Sequence, residues 1–149
     1  MGPVLYLPET MAFVLDIPIG SAGHAEMVVA DEHTAPRVGS GKIAVLATPV
    51  MINLIEAAAL AAIEHLLPAG HQSLGTHLDV THVAATPVGM KVRATAEVIG
   101  IEGRIVKMRV RAEDQRDLVG EGMHERVVVN VERFDKRVQE KVALLSYKG

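Results

Sequence analysis

Cysteine is absent from this 149-residue chain, and so is tryptophan. Without thiols there is no disulfide, no cysteine nucleophile and no thiolate metal site, and the composition suits a reducing compartment. Aromatic residues make up only 3%, so a core has to be assembled from Val, Leu, Ile, Ala and Met. Positive charge is outweighed, with 15 Lys and Arg against 18 Asp and Glu and a net charge of −3. That balance, with no basic stripe interleaved with aromatics, argues against a non-specific nucleic-acid binder. No apolar run reaches about 18 uninterrupted residues, and no basic stretch precedes an apolar one at the N-terminus. Neither a membrane span nor a signal peptide is expected, and the expected location is cytoplasmic. Gly39-Ser40-Gly41 is not followed by a P-loop or dinucleotide pattern, and no serine sits in a GxSxG elbow.

Against these absences stands a hydrophobic content of 49%, ample for one domain over residues 1–149. Its greasiest part is Thr48–Pro68, TPVMINLIEAAALAAIEHLLP. Thr48 suits an N-cap, Pro49 the first turn and His65 the last turn, while Pro68 and Gly70 stop the helix. From Val50 to Ile63 only Asn53 and Glu56 are polar. A helix so apolar has to be covered on most sides.

The rest of the chain offers the cover. Residues 1–20, with Pro3 and Pro8, read as an N-terminal arm, in which Met11–Ile17 is either a short strand or extended. His24–Ala30 suits a strand, and Asp31–Lys42 reads as a loop. After the helix the period changes from 3.6 to 2. Leu74–Ala84 places Leu78, Val80 and His82 on one face and His77, Asp79 and Thr81 on the other. Met90–Gly100 and Arg104–Asp114 alternate apolar with charged residues about a hairpin at Gly100–Gly103. Leu118–Arg133 reads as a last long strand with a bulge near Gly120 and Gly122, and Phe134–Leu145 as a terminal helix. One apolar helix and an antiparallel meander with one apolar face imply α+β architecture, the sheet curling around the helix as in a hot-dog fold. Pairing of an exposed edge strand with a second subunit would remove the edge.

Three residues stand out chemically. Glu56 lies mid-helix among Ile55, Ala57, Ala58 and Ala59, and is either part of a thin wet stripe with Asn53, Leu60 and Glu64 or a functional carboxylate. His82 shares the inward strand face, so it is either a core histidine satisfied by a carbonyl or a catalytic one. Thr48 has a sufficient role as a cap. Thr48 and Glu56 are separated by roughly 12 Å of helix rise, so one site using both is extended or drawn from two subunits. His65, His71 and His77 recur every six residues but span helix, loop and strand, and no metal site is expected from them.

Thr48 through Glu56, then Ser73-Leu74-Gly75-Thr76, then Val80-Thr81-His82 with Ala84-Ala85-Thr86-Pro87, resembles the fluoroacetyl-CoA thioesterase-like family of hot-dog proteins. Glu102-Gly103-Arg104 and Gly122-Met123-His124-Glu125-Arg126 are similar to it as well, and the likeness runs from about Gly20 to Val138. The resemblance implies an acyl-CoA thioesterase with Thr48, Glu56 and His82 as the catalytic set and Gly75 beside the thioester carbonyl. It also implies a homodimer, possibly a tetramer, with sites at the subunit interface. No cofactor is expected, coenzyme A being part of the substrate. Glu56 would be general base or nucleophile, His82 would serve the leaving group, Thr48 would hydrogen-bond the carboxylate or carbonyl, and the Gly75 amide would meet the oxyanion. One departure limits the likeness: Ala35–Ala47 contains no aromatic residue, although fluoroacetate-resistance members carry aromatics there. The expectation is therefore hydrolysis of a short or medium acyl-CoA without fluoroacyl selectivity. A non-catalytic acyl-CoA-binding protein and a hydratase or dehydratase on the same fold are the alternatives.

Overall fold

The computed structural model describes residues 14–145. Most of the expected N-terminal arm lies outside them, and residues 14–17 form no strand, although Ile17 is buried. Five strands follow: β1 (Ala22–Val28), β2 (His71–Val80), β3 (Lys91–Glu102), β4 (Ile105–Asp114) and β5 (Leu118–Asn130). Three α-helices accompany them: α1 (Ala35–Val38), α2 (Thr48–Ile63) and α3 (Val131–Leu145). The sheet is antiparallel throughout in the order β1-β3-β4-β5-β2, so β1 and β2 are its edges.

Alternation decides which face meets the helix. Val92, Ala94, Ala96 and Val98 of β3 and Val106, Met108, Val110 and Ala112 of β4 are buried, and all belong to the core formed with Met51, Leu54, Ile55, Ala58, Ala59, Ala62 and Ile63 of α2. Small residues on the strands let the helix lie close. Gly23 of β1 is the limit, since a Cβ there would overlap the backbone of Ala58 and Ala62. Thr48–Leu66 is the stretch of described residues long and apolar enough to cross a membrane by composition, and here it is the core helix lying against the sheet.

Several boundaries differ from the sequence reading. The helix yields to a 3₁₀ turn at Glu64–Leu66, short of Pro68. Ala47, held extended by Ala47 N–H donating to His33 O, occupies the N-cap position, and Thr48 is already helical. Thr48 therefore does not cap the helix, and its hydroxyl is used elsewhere. The β3–β4 turn falls at Gly103 and Arg104, where Gly103 takes a positive φ of 62°. β2 begins three residues early and stops at Val80, leaving His82 just beyond it. β5 ends at Asn130, so α3 starts three residues before Phe134. Phe134, Val138 and Val142 do share an exposed stripe on α3.

Candidate active site

A bulge controls the geometry of β2. Gly75 pairs with Arg126 and His77 with the next residue, Glu125, so Thr76 is the extra residue. Strict alternation would put Gly75 and His82 on opposite faces. The inserted residue changes the parity, so buried Ser73 and the Cα face of Gly75 point inward before it, and Leu78 and Val80 pack on the core after it. The inward face thus continues to His82.

Glu56 is half-buried and turned toward β2 and β5, not left in a wet stripe. Arg126 Nη1 lies 3.3 Å from Glu56 Oε2, with side-chain exposures of 5% for Arg126 and 35% for Glu56. An arginine so deeply buried requires paired acceptors. Arg126 finds them in Glu56, in Ser73 Oγ at 2.8 Å and Ser73 O at 3.2 Å, and in His124 Nε2 at 3.1 Å. Because Arg126 can only donate, His124 accepts at Nε2, which leaves its Nδ1–H to donate to His77 O at 2.8 Å. Burial pushes the His124 imidazole below its ordinary range, the His77 carbonyl opposes this, and the Arg126 charge adds to the lowering. Gly75 closes the cluster: a Cβ there would collide with Glu56 Oε2 and come 3.1 Å from His124 Cε1. The glycine makes room for the carboxylate of the helix.

Thr48 and His82 form a second cluster. Thr48 Oγ1 and His82 Nδ1 are 2.7 Å apart, joining the start of α2 to the chain just past β2. Burial pushes the His82 pKa down, partly opposed by the Ala84 backbone. Beside the imidazole opens a cleft of about 290 Å³ lined by Val45, His82, Val83, Ala84 and Ala85. The structure thus brings Thr48 to His82 and Glu56 to Gly75, while two turns of helix keep the clusters apart within one chain.

The sequence reading assigned no role to Arg126, His124 or Ser73. Period-two alternation on β5 held the signal, since it sets His124 and Arg126 on the buried face with Val128. The outer-face cations Lys91, Arg93, Arg109 and Arg111 are engaged by Glu26, Glu97, Glu113 and Glu121. His65, His71 and His77 do not assemble: no group of three or more His, Cys, Asp or Glu able to hold a metal occurs among the described residues.

A five-stranded antiparallel sheet wrapped on one apolar helix is the architecture of the hot-dog thioesterases. Residues 29–132 match the model of the fluoroacetyl-CoA-specific thioesterase family. The fluoroacetyl-CoA thioesterase of Streptantibioticus cattleyicolor is 45% identical over 97 residues, 65% of this chain and 70% of that protein. A solved fluoroacetyl-CoA thioesterase superposes with a TM-score of 0.79 at 37% identity, covering 84% of this chain and 97% of its own. A thioesterase superfamily member from Thermus thermophilus gives 0.78 at 30% identity, covering 88% and 99%. The chain belongs to the fluoroacetyl-CoA-specific thioesterase family, and it is a thioester hydrolase acting on acyl-CoA.

Proposed function

We propose that this enzyme hydrolyses a short or medium acyl-CoA without fluoroacyl selectivity, using Glu56 as the reactive carboxylate. The supporting observation is the carboxylate itself, held by buried Arg126 against Gly75 in a helix otherwise given over to apolar packing. Glu56 attacks the thioester carbonyl, directly or through a water that it deprotonates. Oxygen from water ends on the acyl carbon, the C–S bond breaks, and the proton from water ends on the departing sulfur, with His82 placed to carry it. Thr48 orients His82 and the carbonyl, and the Gly75 amide meets the oxyanion. No cofactor enters this scheme. A cytoplasmic setting accords with the lack of cysteine.

The two clusters become one site if the protein is a homodimer. The outer edge of β2 is unpaired among the described residues, and Asn53, Ala57, Leu60 and Ala61 leave one face of α2 exposed. A second copy antiparallel to β2 would cover both features and bring its own Thr48–His82 pair toward Glu56. On selectivity, the solved relatives include variants of a threonine and of a phenylalanine six residues before it. Six residues before Thr48 stands exposed Lys42, so the corresponding segment lacks that aromatic.

The test is release of free CoA thiol from acetyl- through octanoyl-CoA and from fluoroacetyl-CoA, with Glu56→Gln beside the wild type. Turnover of the plain acyl series without preference for fluoroacetyl, lost in Glu56→Gln, is the expected result. A strong fluoroacetyl preference would overturn the selectivity reading, and an active Glu56→Gln would overturn the role of Glu56.

A further inference from the structure

Arg126 does not hold Glu56 alone. Both hydrogens of its Nη1 are spent, one on Glu56 Oε2 and one on His124 Nε2. What fixes the guanidinium plane at its other side is Ser73, which accepts from Nε at its hydroxyl and from Nη2 at its carbonyl. Since the Ser73 oxygen accepts from arginine, its own hydrogen is directed away, to Glu64 Oε2 at 2.8 Å. The Ser73 backbone N–H reaches the other oxygen, Glu64 Oε1, at 2.9 Å. Glu64 sits in the 3₁₀ turn that continues α2, on the same rod as Glu56. The bonds therefore close a ring: Glu56 on the helix, Arg126 on β5, Ser73 on β2, and Glu64 back at the helix end.

Direction along this ring is set by charge. Arginine has only donors and a carboxylate only acceptors, so the serine hydroxyl between them has one orientation available. We propose that Ser73 and Glu64 are positioning residues for thioester hydrolysis, acting through Arg126 to fix the orientation of the Glu56 carboxylate. The inference rests on the reading of Glu56 as the reactive group. With the Ser73 hydroxyl removed, Arg126 Nε loses its acceptor, and the Ser73 carbonyl at 3.2 Å is the one bond left holding that side of the guanidinium. Glu56, with 35% of its side chain exposed, then has room to leave the attacking pose. Small misplacement of a reacting group lowers the rate more than it lowers binding.

The experiment compares Ser73→Ala, Glu64→Gln, their double variant, Ser73→Thr and Glu56→Gln on the best substrate of the acetyl- to octanoyl-CoA series, with thermal midpoints measured in parallel. Ser73→Ala and Glu64→Gln should each lower kcat about tenfold while KM stays within about twofold. The double variant should be no slower than Ser73→Ala, because both changes break one relay. Ser73→Thr, which keeps the hydroxyl, should restore kcat to near wild type. Wild-type kcat in both single variants beside an inactive Glu56→Gln would overturn the inference and leave the role of Glu56 standing. Losses that add in the double variant and track the thermal midpoint would reduce Ser73 and Glu64 to a structural clamp, which also overturns it. An active Glu56→Gln would remove the reading on which it rests. Glu64→Gln, at a half-buried position, keeps the test available if Ser73→Ala fails to fold.

Discussion

Glu56 is reached by a guanidinium that is itself held by Ser73 and His124, whereas His82 is tethered by a single side-chain bond to Thr48 beside an open cleft. The first cluster spans β2, β5 and the middle of the helix and has Arg126 and His124 almost fully buried. The second lies at the helix start and just past the end of a strand. On the proposed reading, one half of the site is braced by several buried bonds and the other by few. A thioesterase can use both properties, because attack needs a fixed carboxylate while departure of a thiolate needs room.

The comparison breaks most severely at Arg126. Arg126→Met leaves Glu56, Ser73 and His124 without their shared donor, and kcat should fall at least a hundredfold with a loss of about 3 kcal/mol of stability, read by assay and urea unfolding together. His82→Ala should lower kcat by about a hundredfold with little change in unfolding, since the residue is half-exposed and bonded only to Thr48 and the Ala84 backbone. A change confined to KM would recast His82 as a binding residue. Thr48→Val keeps the shape and removes the hydroxyl; kcat should fall about tenfold with the thermal midpoint unmoved, because the threonine is not the helix cap. A drop of several degrees would restore the capping role.

The smallest effect concerns pH. His82 and His124 both titrate below the ordinary imidazole value of 6.5 because burial disfavours the cation. Below pH 6.5 the unfolded chain takes up protons that the folded chain resists. Stability present above that pH is therefore lost as the pH falls. Thermal midpoints measured from pH 7.5 to 5 should decline, with a shallower slope in His124→Gln; a flat profile would contradict the assignment of neutral imidazoles.

Much of this was readable in advance because periodicity reports burial. Val50–Ile63 could only be a covered helix, and the alternation of Val92, Ala94, Ala96 and Val98 with Lys91, Arg93, Thr95 and Glu97 specified a half-buried strand. Helix and strand spacing singled out Thr48, Glu56 and His82, and family resemblance supplied their expected catalytic roles and added Gly75. Sequence spacing could not reveal the bulge at Thr76, since nothing in Gly75-Thr76-His77 forces an extra residue until β5 is paired with it. The cap was misread for a related reason: a tertiary bond between Ala47 and His33 moves the helix start by one residue. Arg126 was hidden by its charge, which suggests solvent unless the parity of β5 is followed.

If Glu56 of one subunit works with Thr48 and His82 of another, mixing two inactive variants will reveal it. Glu56→Gln and His82→Ala subunits, co-refolded in equal amounts, form hybrids in which one of two sites regains an intact Glu56 and an intact His82. Recovery of about one quarter of wild-type CoA release is expected in the mixture, from parents that show almost none. A mixture as inactive as its parents would place each site within a single chain and contradict it.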